Sequence, residues 1–202
     1  MNEREIQVIN SKEKIINVAI KEFALNGYKV ASTNSICKNA KISKGLLYHY
    51  YSSKEVLYLN VLQYAIDKFK ENITIENDKS NKKGIEYISE YFNTKFKFFR
   101  ENPLYSKIIT GALLNNSIES TTELIKEFEN YNNDIIYKVI KNIDINPRFD
   151  REKAFELIIM IGEKLEEKHM KNIENKDKDI AIEEFRKDHK IMIEMVFEGI
   201  DK

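Results

Sequence analysis

The chain has 202 residues, enough for one or two domains with a sizeable core. Six glycines and two prolines leave few residues for the tight turns of a β-sandwich or barrel, and the 42% hydrophobic content excludes wholesale disorder. No apolar run approaches the ~18 residues of a membrane span, and the charged start leads into no apolar signal core. One cysteine excludes an internal disulfide framework. We therefore expect a soluble, all-α, cytoplasmic protein without a membrane partner.

The net charge of zero conceals an uneven distribution of charged residues. Residues 1–72 contain 11 Lys and Arg against 7 Asp and Glu, whereas the remainder contains 22 against 26. Between Gly27 and Lys54 there are five lysines and no acidic residue. Such a window is typical of a surface that meets polyanions, although a solvated lysine face has the same composition.

Helical periodicity and capping residues predict four helices in the first 72 residues. The predicted start and stop signals are, in chain order, Ser11, Asn26-Gly27, Thr33, Ser43 and Ser52-Ser53. They define a third helix at 44–51 and a fourth at 54–72. The second and third helices are short and joined by a brief turn, which is the helix-turn-helix arrangement.

A polar stretch without periodicity, residues 77–83, predicts a linker. The helices predicted beyond it are longer and cover 84–101, 104–115, 119–143, about 150–173 with Asp150 as the cap, and a last one from Asp177 or Asp179 to Gly199. We therefore predict an N-terminal domain at 1–72 and a second helical domain at 73–202.

Residues 23–57 combine many residue types at fixed offsets. The features are Phe23-Ala24, Gly27-Tyr28, Thr33, Ile36, Ile42–Gly45, Leu47–Tyr51 and Ser53–Glu55. This stretch, about a quarter of the chain, resembles the TetR/AcrR family of one-component transcriptional regulators. The resemblance implies a helix-turn-helix DNA-binding domain, with the motif at about 33–52, followed by a helical effector-binding and dimerisation domain. Two residues depart from the family pattern: Lys41 stands where glycine is frequent, and Leu46 where a small or polar residue is common.

The predicted DNA contacts lie along the third helix and at the starts of the two helices that flank it. Free backbone N–H groups and a positive dipole at Ser43, Lys44 and Gly45 favour phosphate. Leu46 would reach the major groove, where it can contact only apolar features such as a thymine methyl. The predicted DNA-binding residues are Thr33, Ser43, Lys44, Gly45, Leu46, Tyr48, His49, Tyr50 and Lys54. Leu47 and Tyr51, four residues apart, are predicted to be core.

The last two long helices are apolar over more than one stripe, which predicts a second burial partner and hence a two-fold homodimer. The predicted interface residues are Leu157, Ile161, Phe185, Met192 and Val196. The middle of the chain is rich in aromatic residues, which either line an effector pocket or fill a solid core. The pocket candidates are Tyr91, Phe96, Phe99, Phe128 and Tyr131.

The resemblance implies a ligand-responsive regulator, and the sequence patterns agree with one that is neither an enzyme nor dependent on a cofactor or metal. In this prediction it is a repressor that binds a palindromic operator in double-stranded DNA as a dimer and is released by an unidentified small molecule. The alternative is a carboxylate-bridged di-iron enzyme, because Glu166 and His169 form one Glu-x-x-His pair. Arg186 stands three residues before His189, so a second pair is missing. A basic adaptor for membranes or acidic proteins explains the lysines but not the ordered string 43–54.

Overall fold

The computed structural model describes residues 3–73, 84–114, 118–142, 148–171 and 177–200, and every regular element in these ranges is helical. The helices are α1 Glu3–Val30, α2 Thr33–Ala40, α3 Lys44–Tyr50, α4 Lys54–Asn72, α5 Gly84–Glu101, α6 Pro103–Leu114, α7 Thr122–Ile140, α8 Arg151–Lys171 and α9 Lys178–Ile200. The all-α prediction is confirmed. None of the described helices is both long enough and apolar enough to cross a membrane. The predicted linker at 77–83 lies outside the described residues.

The chain forms two compact units. The first contains Met1–Lys68 and Asn102–Lys126, and the second contains Phe69–Glu101 and Glu127–Lys202. In the first unit α6 packs against α1, and in the second α9 packs against both α5 and α8. This division differs from the boundary expected between residues 72 and 73, because α6 packs with a helix far away in the sequence.

Helix α1 begins well before its predicted cap. It starts at Glu3 and passes through Ser11, since the residues before Ser11 include helix-favouring Glu, Arg and Gln. Its end follows the prediction more closely. Gly27 interrupts the helical dihedral angles with a φ of 68°, a value that costs glycine little, and the chain continues for one short turn to Val30.

The ends of α2 and α3 are set by local hydrogen bonds. The hydroxyl oxygen of Ser32 accepts from the Ser35 N–H at 3.5 Å, so Ser32 is the cap of α2 and Thr33 is its first residue. Lys41 adopts the left-handed conformation, with φ 53° and ψ 48°, which a glycine commonly occupies. Ser43 caps α3 as predicted.

The core of the first unit confirms the division of the third helix into an inner and an outer face. Leu47 and Tyr51 are buried as predicted, whereas the Tyr48 side chain between them is exposed. The fully buried residues around them come from α1, α2 and α4: Ile15, Ala19, Ile36, Ala40, Leu57, Val61 and Leu62. The core thus holds α3 by one face and leaves the other to solvent.

Aromatic stacking and one close helix contact organise the second unit. The rings of Phe96 in α5 and Phe185 in α9 stack with their centroids 4.1 Å apart. A Cβ built at Gly162 of α8 would lie 2.0 Å from the Phe92 ring, so only glycine fits at this contact. Asp150 and Asp177 cap α8 and α9 as predicted, with their Oδ1 atoms accepting from Lys153 N–H at 3.0 Å and Ile180 N–H at 3.3 Å.

The helix expected at 119–143 has a different start. Glu119–Thr121 forms a single 3₁₀ turn, because the Thr121 N–H donates to the Ile118 carbonyl at 2.9 Å, and α7 follows to Ile140. The predicted end at Ile143 lies outside the described residues. Helix α6 begins at Pro103, since proline fits the first turn of a helix.

Candidate nucleic-acid interface

The start of α3 is an exposed surface. Ser43 and Lys44 are exposed, and the Ser43 oxygen accepts from the Leu46 N–H at 3.1 Å, which fixes the first turn. A Cβ built at Gly45 would meet only the Ser43 hydroxyl, at 3.9 Å. The packing of the protein therefore does not require a glycine at this position, which leaves room for another molecule to approach the backbone.

Two of the predicted residues meet between α2 and α3. Tyr48 is 41% exposed, and its hydroxyl lies 3.4 Å from the hydroxyl of Thr33. The first turn of α2 and the middle of α3 thus present two hydroxyl groups together on one surface. Neutral hydroxyl donors of this kind bind phosphate oxygens in protein–DNA interfaces.

The aromatic end of α3 carries a cation that the sequence analysis did not select. His49 is exposed, and its ring centroid lies 5.3 Å from that of Tyr50. The Lys12 ammonium of α1 lies 5.8 Å from the Tyr50 ring centroid, within the range of a cation–π contact. Lys12 is nearly forty residues from Tyr50 in sequence, so no local pattern connects them.

Lys54, at the start of α4, is held by the end of α1. Its ammonium donates to the Lys29 carbonyl oxygen at 3.2 Å and lies 4.9 Å from the Tyr28 ring centroid. Burial, with a smaller contribution from the charge of Glu55, raises the pKa of Tyr28 above its ordinary value. The Ser53 oxygen accepts from the Val56 N–H at 3.1 Å and fixes the start of α4.

Glu22 of α1 is a positioning residue that the sequence analysis missed. One carboxylate oxygen accepts from the Ser32 N–H at 2.9 Å and the other from the Ser35 hydroxyl at 2.7 Å. The carboxylate lies at the start of α2, where it also complements the helix dipole. It thereby fixes α2 on α1. The first turn of α2 contains no acidic residue of its own. This absence is the sequence signal that a carboxylate from another helix could complement the start of α2.

The structure places all nine predicted DNA-binding residues in the first unit. The exposed members are Ser43, Lys44, Gly45, Tyr48 and His49, and the half-buried members are Thr33, Leu46, Tyr50 and Lys54. No described acidic residue occurs between Gly27 and Lys54, so the surface carries positive and neutral groups only within that window. This is the electrostatic character that a phosphate backbone requires.

The aromatic residues proposed for an effector pocket pack as core in the second unit. Tyr91, Phe96, Phe99 and Phe128 are buried, and Tyr131 is half-buried. Phe69 contacts two of them, with its ring centroid 5.4 Å from that of Phe99 and 5.0 Å from that of Phe128. The Tyr91 hydroxyl donates to the Asn132 side-chain oxygen, and burial raises the pKa of Tyr91. A pocket at these residues stays a prediction.

The residues proposed for a dimer interface divide into two groups. Leu157 is 43% and Met192 is 40% exposed, whereas Ile161 and Val196 are half-buried. Phe185 is fully buried in its own chain, against Phe96, and so belongs to the core of the second unit rather than to a surface. Both stripes of α9 are apolar, so its sequence alone did not show which stripe faces the rest of the chain.

Both members of the Glu-x-x-His pair of α8 contact side chains of other helices. Glu166 lies 3.0 Å from the Lys95 ammonium, and His169 Nε2 lies 3.0 Å from the Asp188 carboxylate. Within the described residues, no three His, Cys, Asp or Glu side chains are grouped as metal ligands would be. The di-iron alternative is therefore not favoured.

Comparisons with known proteins point to one family. The family model described as "Bacterial regulatory proteins, tetR family" matches residues 15–61. The HTH-type transcriptional regulator QacR of Staphylococcus aureus is 29% identical over 140 residues, which cover 68% of this chain and 73% of QacR. The HTH-type transcriptional regulator YuxN of Bacillus subtilis is 49% identical over 61 residues, which cover 30% of this chain and only 21% of YuxN.

Solved structures of TetR-like regulators share this fold. A TetR family transcriptional regulator from Chloroflexus aurantiacus superposes with a TM-score of 0.73 over 95% of this chain and 93% of its own, at 19% sequence identity. The matched family segment contains α2, α3 and the start of α4, where the exposed face of α3 lies. Residues 15–61 therefore match the TetR family and carry its helix-turn-helix DNA-binding domain, and the chain as a whole resembles TetR-family transcriptional regulators in sequence and fold.

Proposed function

We propose that the protein is a cytoplasmic, ligand-responsive repressor that binds a palindromic operator as a homodimer. The observation that carries this proposal is the exposed first turn of α3, where Gly45 leaves space that the packing of the protein does not use. A recognition helix needs such an opening to bring its backbone close to a base edge or phosphate.

The residues of the interface have separate roles in this proposal. Lys44 and Lys54 neutralise phosphates, and the neighbouring hydroxyls of Tyr48 and Thr33 donate to phosphate oxygens. These contacts set affinity and register without reading sequence. Leu46 is the base-reading residue, because its half-buried apolar side chain can contact a thymine methyl in the major groove.

A dimer supplies the two-fold symmetry of the operator. Two recognition helices must enter successive major grooves about 34 Å apart, and a palindrome presents identical half-sites at that spacing. The exposed apolar side chains Leu157, Met192 and Met195 supply a surface on α8 and α9 that a second copy would cover. An isologous interface of this kind has the required symmetry.

Release from DNA requires a ligand that prefers the non-binding conformation. Such a preference typically supplies about 1–3 kcal/mol of coupling, equivalent to roughly 5–150-fold in DNA affinity. Helix α4 runs without interruption from Lys54 to Asn72, so it connects a proposed phosphate contact to the second unit along the chain. A change in the direction of α4 would change the position of Lys54 and of its counterpart in the dimer.

Selection of bound duplexes from a random DNA library tests the proposal directly. We expect enrichment of a palindrome with half-sites one helical turn apart, bound by two protomers. Enrichment of no sequence, or of an asymmetric site bound by one protomer, would overturn the proposed operator symmetry. A library of small molecules is then screened for release of the selected duplex, and release by none would overturn the ligand-responsive part.

A further inference from the structure

The first unit contains a cavity of about 170 Å³ that none of the predicted site residues explains. Its lining comes from the end of α1, from α4, from α6 and from the 3₁₀ turn. None of the five aromatic residues that were proposed for an effector pocket lines it. All of its lining residues belong to the first unit, the unit that carries the helix-turn-helix.

Three aromatic rings contribute to this lining. Tyr58 lies centrally, with its ring centroid 5.0 Å from that of Phe23 and 5.1 Å from that of Tyr28. The engineered apolar cavity that binds benzene has a volume of about 150 Å³, so the present cavity has room for one aromatic ring and a small substituent. A flat ring would find edge-to-face or offset-stacked partners among these side chains.

The charged groups of the lining favour an anion. Among the described residues that line the cavity, Lys29 and Lys107 are cationic and none is acidic. Tyr28 also lines the cavity, and its neutral hydroxyl can donate a hydrogen bond. A carboxylate bound here would therefore have an ammonium partner and a neutral donor, whereas a ligand cation would have neither.

Gly111 of α6 indicates that the space is not an accident of packing. A Cβ built at Gly111 has no atom within 4 Å. Glycine in the interior of a helix destabilises the helix relative to alanine, so a glycine without a packing reason is a cost to the fold. At Gly111 the missing side chain keeps the cavity open.

We propose that this cavity binds a small single-ring aromatic carboxylate, and that its occupancy changes the position of Lys54. Tyr28 and Lys29 line the cavity, and the same two residues hold Lys54 through the Tyr28 ring and the Lys29 carbonyl oxygen. A ligand that reorients these two residues necessarily alters the surroundings of the Lys54 ammonium. The binding part stands on the cavity alone, and the effect on DNA rests on the proposed function.

Benzoate and its neutral analogue benzyl alcohol are the probes, and binding to the full-length protein is measured by calorimetry and by chemical-shift perturbation. We expect benzoate to bind with resonance shifts at Tyr28 and Gly111, and benzyl alcohol to bind at least roughly tenfold more weakly. Lys107→Met should weaken benzoate but not benzyl alcohol. The matched control Lys138→Met, an exposed lysine of α7, removes the same charge and should leave both affinities unchanged.

Filling the cavity provides the second test. Gly111→Leu should abolish benzoate binding, and Gly111→Ala should weaken it while raising the melting temperature, so a folding defect in the larger variant does not remove the test. The absence of benzoate binding to the wild type, or binding that both Gly111 variants retain in full, overturns the proposal. Operator titration with and without benzoate then tests the coupling separately. Binding of benzoate without any change in operator affinity overturns only the coupling, and loss of operator binding in the absence of benzoate concerns only the proposed function.

Discussion

The Lys54 ammonium donates a hydrogen bond to the Lys29 carbonyl oxygen at 3.2 Å, so a proposed phosphate contact is held by the last turn of α1. The bond spans 25 residues of sequence and joins two helix ends within the first unit. It restricts the rotamers of a long side chain before DNA arrives, which reduces the entropy that binding must overcome.

Removal of this cation should weaken binding to all duplexes alike. We expect Lys54→Ala to reduce the salt dependence of binding, expressed as the slope of log K against log salt concentration, by about one. Leu46→Ala should instead change the preferred sequence with little change in slope. Fluorescence anisotropy on operator and scrambled duplexes at several salt concentrations measures both quantities, with Lys126→Ala as the exposed control. Equal losses on every duplex for Leu46→Ala would contradict its role in base reading.

Gly45→Ala should weaken operator binding without lowering the stability of the fold. The added Cβ has only the Ser43 hydroxyl nearby, at 3.9 Å, so Gly45→Ala should keep the protein folded and raise the free energy of unfolding by up to about 1 kcal/mol. Operator affinity should fall, because the methyl group occupies the space that DNA would fill. Gly162→Ala is the opposite control: its Cβ would lie 2.0 Å from the Phe92 ring and should destabilise the fold by about 1–3 kcal/mol. Urea titration measures the unfolding free energy of both variants, and fluorescence anisotropy measures their operator affinity. Unchanged operator affinity in Gly45→Ala would contradict the proposed close approach of DNA to the start of α3.

His189 should make the stability of the second unit depend on pH. It is fully buried between Phe92 and Phe185, and neither ring nitrogen has a hydrogen-bond partner among the described residues. Burial lowers the pKa of His189 to about 4, below the value of about 6.5 that it has in an unfolded chain. The unfolded state therefore takes up the proton first as the pH falls. Stability should decrease between pH 6.5 and 4, by on the order of 3 kcal/mol in total, and this effect should be absent above pH 6.5.

The His189→Phe variant checks the origin of that dependence. A phenyl ring keeps the aromatic contacts with Phe92 and Phe185 and has no nitrogen to protonate, so the difference in unfolding free energy between pH 7.5 and pH 5 should shrink. His49→Asn, at an exposed histidine, should leave the difference unchanged. Urea unfolding at both pH values provides the measurement. A pH dependence that persists in full in His189→Phe would show that another group is responsible.

A charge on the exposed face of α9 should prevent dimer formation. Met192 is 40% and Met195 is 67% exposed, so Met192→Glu should leave the folded protomer intact and place a carboxylate within the proposed interface. We expect a monomer by sedimentation velocity, with weakened operator binding. Lys190→Glu, an exposed neighbour with a larger change of charge, should remain dimeric. A monomeric wild type at micromolar concentration would overturn the proposed dimer.

Short-range signals predicted much of this fold. The bounds of α4 and α5 follow from Ser53 and from the Pro103 that comes after Glu101. Ser43 was identified as a cap because a hydroxyl residue precedes a short apolar pattern. The sequence predicts Thr33 as the cap of α2, whereas the structure has Ser32, because two adjacent hydroxyl residues give the same signal and only the backbone angles distinguish them.

Long-range contacts account for what the sequence did not predict. Glu22 binds residues ten and thirteen positions away, and no periodicity connects them. The packing of α6 on α1 is equally distant in sequence, and it changed the division of the chain into units. Phe185 is predicted at the dimer interface but lies in the core. Helix α9 has two apolar stripes, and the sequence pattern does not show which of them faces the core. In each of these cases the local sequence is compatible with more than one arrangement, and tertiary packing selects one of them.

The carboxylate of Glu22 has a consequence for the cooperativity of the helix-turn-helix. Helix α2 has eight residues, too few to be stable alone, and its first turn is completed by a side chain of α1. We therefore expect the two helices to open as one folding unit, with the amide hydrogens of α2 exchanging with solvent as slowly as those in the middle of α1. In Glu22→Gln, amide exchange in α2 should become faster than in α1. The recognition helix α3 would then pack against an α2 that opens independently of α1.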